Sequence, residues 1–210
     1  MVLATVATVA GTAALTDRGD RTRRRLVDAA RERFARDGYR STSVAIISRD
    51  AGLGRTTAFV HFDNKEALFF AAVDDDMDAM FGEFAVRLID LLTEDLVVER
   101  LIATALEIVD RHPLARRLLA GLEPDFTASV LKSESFDALR ATLVPIMAEG
   151  QRIGAVRPDL STTDLTDGLM GIVLAMAMTS VQIGPAVDTT FGPGISTALR
   201  GLLSHDPRLP

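Results

Sequence analysis

Between Ala51 and Phe70 the chain reads AGLGRTTAFVHFDNKEALFF: two helix beginnings packed around glycines, with no room for a strand between them. A turn this tight between packed helices needs a residue that accepts positive φ, which Gly52 supplies. Thr42 is placed as the N-cap of a short helix carrying Val44 and Ile47 on its inner side. A second short helix opens at Arg55-Thr56-Thr57, and Asp63 or Asn64 caps a third stretch. Two short helices joined through one glycine have the dimensions of a helix-turn-helix.

The rest of the chain follows the same 3.6-residue rhythm. A first helix places Leu26, Ala29, Ala30 and Phe34 on one face, with Gly38 suited to the left-handed position past its end. After Asn64, apolar residues recur at Phe69, Val73, Met77, Met80, Phe84 and Leu88, the stripe of a long amphipathic helix. Further helices are expected over 95–111, 113–121, 125–153, 162–183 and 189–204. The 125–153 span is open to division, because Ser133 and Ser135 interrupt it and Pro145 would kink it. Gly154, Pro158 and Ser161 to Asp164 mark the clearest later loop. No sustained period-2 alternation occurs, so the chain is read as all-α.

Charge divides the chain in two. From Arg18 to Lys65 it carries twelve basic and six acidic residues, a net +6, within a total of −6 over 210 residues. The remainder is therefore −12, a basic module attached to an acidic one. The absence of cysteine removes disulfides, thiolate metal sites and a cysteine nucleophile, and fits a reducing cytoplasm. His61, His112 and His205 are too scattered for a metal site, and no cofactor is expected. The opening MVLATVATVAGTAAL lacks a basic n-region and reads as a flexible arm. The uncharged run 168–187 is long enough to span a bilayer but has no flanking Lys or Arg. It reads as a helix buried on all sides in a soluble bundle, with no membrane partner.

Arg55 is the one side chain at the start of the second short helix able to contact guanine bidentately, while Thr56 and Thr57 suit thymine methyls, bases or phosphates. Singly, Arg55 reads as a solvated arginine and the threonines as helix caps. Beside a net +6 they read as base contacts. Arg18, Arg21, Arg23, Arg24 and Arg25 precede or open the first helix, placed for phosphates or the minor groove, and Lys65 could meet a phosphate at the fourth.

Phe34/Gly38/Tyr39, Thr42-Ser43-Val44, Ala51-Gly52 and Phe59/His61/Phe62/Lys65/Glu66/Leu68 together resemble the N-terminal domain of tetracycline-repressor (TetR) family regulators. The resemblance covers residues 22–70; beyond it only helicity, length and the Gly154-x-x-Arg157-Pro158-Asp159 loop agree. Helix 2 departs from the family pattern at Ile46-Ile47-Ser48, and Gly54 stands where serine is frequent. Phe59 replaces a phosphate-binding tyrosine, so the phosphate contacts fall to Arg23, Arg24, Thr42, Ser43, His61 and Lys65, and Phe59 to packing.

The resemblance implies an arm over 1–19, a helix-turn-helix DNA-binding domain over 20–66, and a helical ligand-binding and dimerisation domain over 67–210. The long fourth helix links the last two. It implies a homodimer on a near-palindromic double-stranded DNA operator, released by a small effector. Gly171, Ala175 and Thr179 recur every four residues as a close-approach face, and with Leu199 and Leu202 they are the expected dimer interface; packing within one subunit explains the small residues equally well. Phe126, Leu139, Leu143, Met147, Met170 and Leu174 are the expected walls of a lipophilic pocket, although such a stripe is commonly plain core. Arg117 and Gln182 are available to orient a polar end, on no stronger ground than other surface residues.

Two other readings compete. Asp74-Asp75-Asp76 with Asp78 could suggest a metal-dependent enzyme, but consecutive aspartates on a helix point in different directions. No phosphate loop, nucleophile elbow or His pair accompanies them, so no enzyme is expected. The second keeps the fold but loses the operator: a dimeric ligand-binding scaffold with a degenerate head, motivated by Gly54 and Phe59.

Overall fold

A computed structural model describes the backbone of residues 2–91, 97–130, 134–184 and 186–203, and the side chains of these residues except 2–18, 89, 97–99, 128–130, 188 and 189. Every regular element among the described residues is a helix. The chain divides into two compact units, Met1–Asp75 and Asp76–Pro210. The side chains expected to form an N-terminal arm lie outside the described set.

The first unit holds α1 (Val2–Ser41), α2 (Val44–Asp50), α3 (Arg55–His61) and the opening turns of α4 (Lys65–Leu91). Gly38 interrupts α1 at φ 81°, ψ 168°. That is the extended positive-φ region open essentially to glycine alone, not the left-handed helical one expected. Past this break Tyr39 folds back, its ring 5.0 Å from Phe69, which meets Phe34 edge-on at 5.0 Å. Leu26, Ala30, Phe34, Ile47, Ala58, Leu68, Phe69 and Ala72 are fully buried, so the head's core extends into α4 beyond residue 66.

The cap of α2 falls one residue later than the sequence suggests. Ser43 is the N-cap, its Oγ accepting from the Ile46 amide at 3.4 Å. Thr42 is buried instead, and its hydroxyl donates to the Gly38 carbonyl at 2.8 Å, tying the interrupted end of α1 together. Ser48 satisfies its buried hydroxyl by donating to the Val44 carbonyl at 2.8 Å. Gly52, at φ 65°, makes the turn to α3, and Asn64 caps α4 by accepting from the Ala67 amide at 2.8 Å.

The second unit contains the rest of α4, then α5 (Val97–Arg111), α6 (Pro113–Leu119), α7 (Pro124–Val130), α8 (Glu134–Arg152), α9 (Thr162–Ile183) and α10 (Ala186–Leu203). The expected 125–153 helix is thus two, α7 and α8, and α8 runs on through Pro145. α9 packs against α5, α6, α8 and α10. It is long and apolar enough to cross a membrane, and one third of its apolar window is buried. The expectation of burial on all sides fails on one side: Gly171 and Ala175 are exposed and Thr179 half-buried. The loop before α9 is fastened by Arg157, whose amide donates to the Leu203 carbonyl and whose Nη1 donates to that of Gly201, both at 2.7 Å. Those carbonyls sit in the last turn of α10, which intrahelical bonds leave unsatisfied.

Candidate nucleic-acid interface and effector cavity

α3 has one inner and one outer face. Ala58 is fully buried and Phe62, just past its end, nearly so, which seats the helix on the head. Arg55 and Thr56 are exposed at its start, and Thr57 is half-buried. Phe59 and Val60 lie on the outer face, 46% and 80% exposed. Phe59 is therefore not a core packing residue. Its ring lies beneath the Arg55 guanidinium, 5.9 Å from centroid to carbon, within cation–π range.

The arginines of α1 separate by task. Arg25, exposed like its neighbours, nonetheless has an internal partner: its Nη2 donates to the Ala51 carbonyl at 2.6 Å, at the end of α2. A Cβ at Gly52 would stand 3.1 Å from that same nitrogen, so the turn glycine also makes room for the guanidinium. Arg33 bridges α1 to α2 through Asp37 and Asp50. Asp37 is held below the ordinary carboxylate range by its hydrogen bonds from Arg33 and then Arg36. Arg23 and Arg24 are also exposed, Arg23 lying 5.2 Å over the Phe62 ring. Ser43 is exposed, His61 half-buried, and Lys65 sits 4.1 Å over the Tyr39 ring. Of the six expected phosphate contacts, Thr42 is the one whose burial and internal hydrogen bond give it a different role.

The second unit holds an apolar cavity of about 90 Å³, partly open to solvent. Its walls come from α4 (Met77, Met80, Phe81, Phe84), α5 (Ala105, Ile108, Val109), α6, α7 (Thr127), α8 and α9, and among the described residues Thr127 is the only polar one. The Thr127 hydroxyl donates to the Glu123 carbonyl at 3.1 Å, so it is already used. Leu139, Met170 and Leu174 line the cavity. Leu143 and Met147 are fully buried core instead, and Phe126 is half-buried outside the walls. Arg117 and Gln182 are also spent elsewhere: Arg117 Nε donates to Glu123 at 2.8 Å, and Gln182 Nε2 to the Leu119 carbonyl at 2.8 Å. The α4 contribution was visible in the sequence as a methionine and phenylalanine stripe, but a stripe does not distinguish cavity wall from core.

The run of aspartates divides its directions as helix geometry requires. Asp75 takes the Arg31 guanidinium at 2.5 Å in the first unit. Asp76, nearly fully buried in the second, accepts the Leu114 and Ala115 amides at 3.0 and 2.9 Å and lies 3.2 Å from His112 Nδ1. It caps the start of α6. On the expected dimer face, Leu199 is fully buried within the unit and so is core; Leu202 closes over Gly168, where a Cβ would meet its side chain at 3.3 Å. Gly171 has open space where a Cβ would point.

Residues 26–72 match the family model described as bacterial regulatory proteins, tetR family. The chain is 25% identical over 191 residues to the HTH-type transcriptional regulator UidR of Escherichia coli K12, covering 87% of this chain and 93% of that one. It is 26% identical over 145 residues to the HTH-type transcriptional repressor KstR2 of Rhodococcus jostii, covering 66% and 69%. A crystal structure of a TetR-family protein from Mesorhizobium loti shares the fold with a TM-score of 0.65 at 19% identity, covering 90% of this chain and 99% of that one. With two short helices turned through Gly52 and the second opening at Arg55, residues 26–72 form a helix-turn-helix head that matches the tetR family.

Proposed function

We propose that this regulator is a ligand-responsive repressor acting in the cytoplasm. It binds a near-palindromic operator as a homodimer and is released by a small, uncharged, lipophilic effector. Arg55, Thr56 and Thr57 read each half-site, while Arg23, Arg24, Ser43, His61 and Lys65 hold phosphates. The single observation that carries the reading is α4. One continuous helix opens with Lys65 and Phe69 in the basic head and supplies Met77, Met80, Phe81 and Phe84 to the cavity of the acidic unit. An effector that binds two positions of that helix unequally shifts the balance between them, and so the spacing of paired heads. Among the described residues the cavity walls are apolar apart from Thr127 and offer no charged group to an ionic ligand, which favours a small lipophilic one.

The dimer is proposed to form along the open face of α9, Gly171, Ala175 and Thr179, which lets two helices approach closely. Two heads on one operator give the avidity that a seven-residue helix lacks. The test is selection of duplexes from a randomised pool, followed by fluorescence anisotropy at two salt concentrations. An inverted repeat with steeply salt-dependent affinity supports the reading. Salt-insensitive, unselective binding overturns it in favour of a ligand-binding scaffold with a degenerate head. For the release step, a small lipophilic compound that binds the cavity must weaken operator binding; equal operator affinity of the saturated and free protein sinks that mechanism.

A further inference from the structure

We propose that Phe59 and Val60 read DNA together with Arg55: Arg55 takes a guanine, and the two apolar side chains take thymine 5-methyl groups within about two base-pair steps of it. This inference rests on the operator-binding reading above and adds to it the identity of the bases read. On a helix, positions 55, 59, 56 and 60 fall within an arc of about 140°, with 57 beyond its edge. The exposure pattern matches that arc: Arg55, Thr56, Phe59 and Val60 are exposed, Thr57 is half-buried and Ala58 is fully buried. The outer row of α3 is therefore as apolar as it is polar.

Single exposed hydrophobic residues are ordinary on protein surfaces. Here two adjacent ones crown a seven-residue helix in a head of net positive charge that also exposes Arg23 and Arg24. The occupant that complements such a surface is a duplex. Its phosphates answer the arginines, and in the major groove the thymine methyl is the one apolar group it offers. The Phe59 ring also holds Arg55. The guanidinium lies 5.9 Å from the ring centroid, a contact that favours this position of the side chain and leaves its N–H fork available for guanine O6 and N7. From Arg55 to Phe59 the helix rises about 6 Å, close to two base-pair steps, which sets the distance between guanine and methyl group.

The experiment uses the full chain and the half-site obtained by selection, with each thymine replaced in turn by uracil, which removes only the methyl group. Wild-type affinity is expected to fall about three- to fivefold at one or two thymines near the guanine. F59A or V60A should bind the normal site correspondingly less well and lose no further affinity with uracil at its own thymine. F59L should retain the methyl dependence but discriminate less sharply at the guanine, because the ring beneath Arg55 is gone. Both positions are exposed, and thermal melts of the variants verify that the fold is kept. If selective, salt-sensitive binding persists while no uracil substitution matters, or if the methyl effect survives unchanged in both alanine variants, the inference is wrong and the regulator reading stands. If wild-type protein binds all duplexes alike, both fall together.

Discussion

Arginines two positions apart in α1 do different work, and only the fold separates them. In the sequence Arg23, Arg24 and Arg25 form one basic run; in the structure Arg25 leaves it to hold the Ala51 carbonyl where α2 ends. A charge-assisted hydrogen bond of this kind contributes roughly 1.5–3 kcal/mol. Arg25→Ala should therefore lower the thermal midpoint by several degrees, while Arg55→Ala leaves the melt unchanged and weakens binding to the selected operator by about tenfold or more. Equal effects of the two variants on the melt would contradict the division of tasks. Asp76 gives a second residue-scale test. Its carboxylate satisfies two buried amides, so Asp76→Ala should cost about 2–4 kcal/mol, and Asp76→Asn, which keeps one acceptor oxygen, clearly less. Calorimetric melts of the three proteins would show the order. Nothing in Asp74-Asp75-Asp76 singles out the middle or last residue as a cap, because the partner amides lie nearly forty positions away.

At the scale of elements, the helices were legible and their ends less so. Stripe residues from Phe69 to Leu88 identify α4, since amphipathic spacing is local information. The shift of the α2 cap from Thr42 to Ser43 was not legible: both are good caps, and what decides is whether Thr42 can reach the Gly38 carbonyl. Where elements meet, charge pairs add a pH-dependent component. Glu83 on α4 accepts from Arg111 at the end of α5, and His112 Nε2 lies 3.5 Å from it. These contacts, Arg111 foremost, hold the Glu83 carboxyl below its ordinary value. The folded pKa is depressed, so the stabilisation is complete above the unfolded carboxylate range near 4 and disappears as pH falls through the lower folded value. Wild type should thus lose stability below about pH 4 more steeply than Glu83→Gln, with a difference at neutral pH of about 1–3 °C in midpoint for so exposed a pair. Parallel acid-melting curves for the two proteins would discard this account.

For the molecule as a whole, charge is divided between a basic head and an acidic remainder, and the chain forms two compact units that part at Asp75/Asp76. The cavity was only half legible: Leu139, Met170 and Leu174 line it, whereas Leu143 and Met147, identical in kind and spacing, are core. The difference is rotation about a helix axis relative to neighbours, which composition does not record. The same rotation decides the face by which two chains are proposed to join. Leu199 points into its own unit, while Gly171 and Ala175 point out, with open space beyond Gly171. A Cβ at Gly171 meets no described atom within 4 Å, so a large side chain there starts into open space and is placed to obstruct a close-packed partner. Gly171→Trp is expected to remain helical, to sediment as a monomer where the wild type sediments as a dimer, and to lose about 100-fold or more in operator affinity through lost avidity. Its affinity for a single half-site should be unchanged. That last comparison separates an interface effect from a damaged head: if half-site binding falls equally, the substitution acts within the chain, and the open face of α9 is not where the second copy sits.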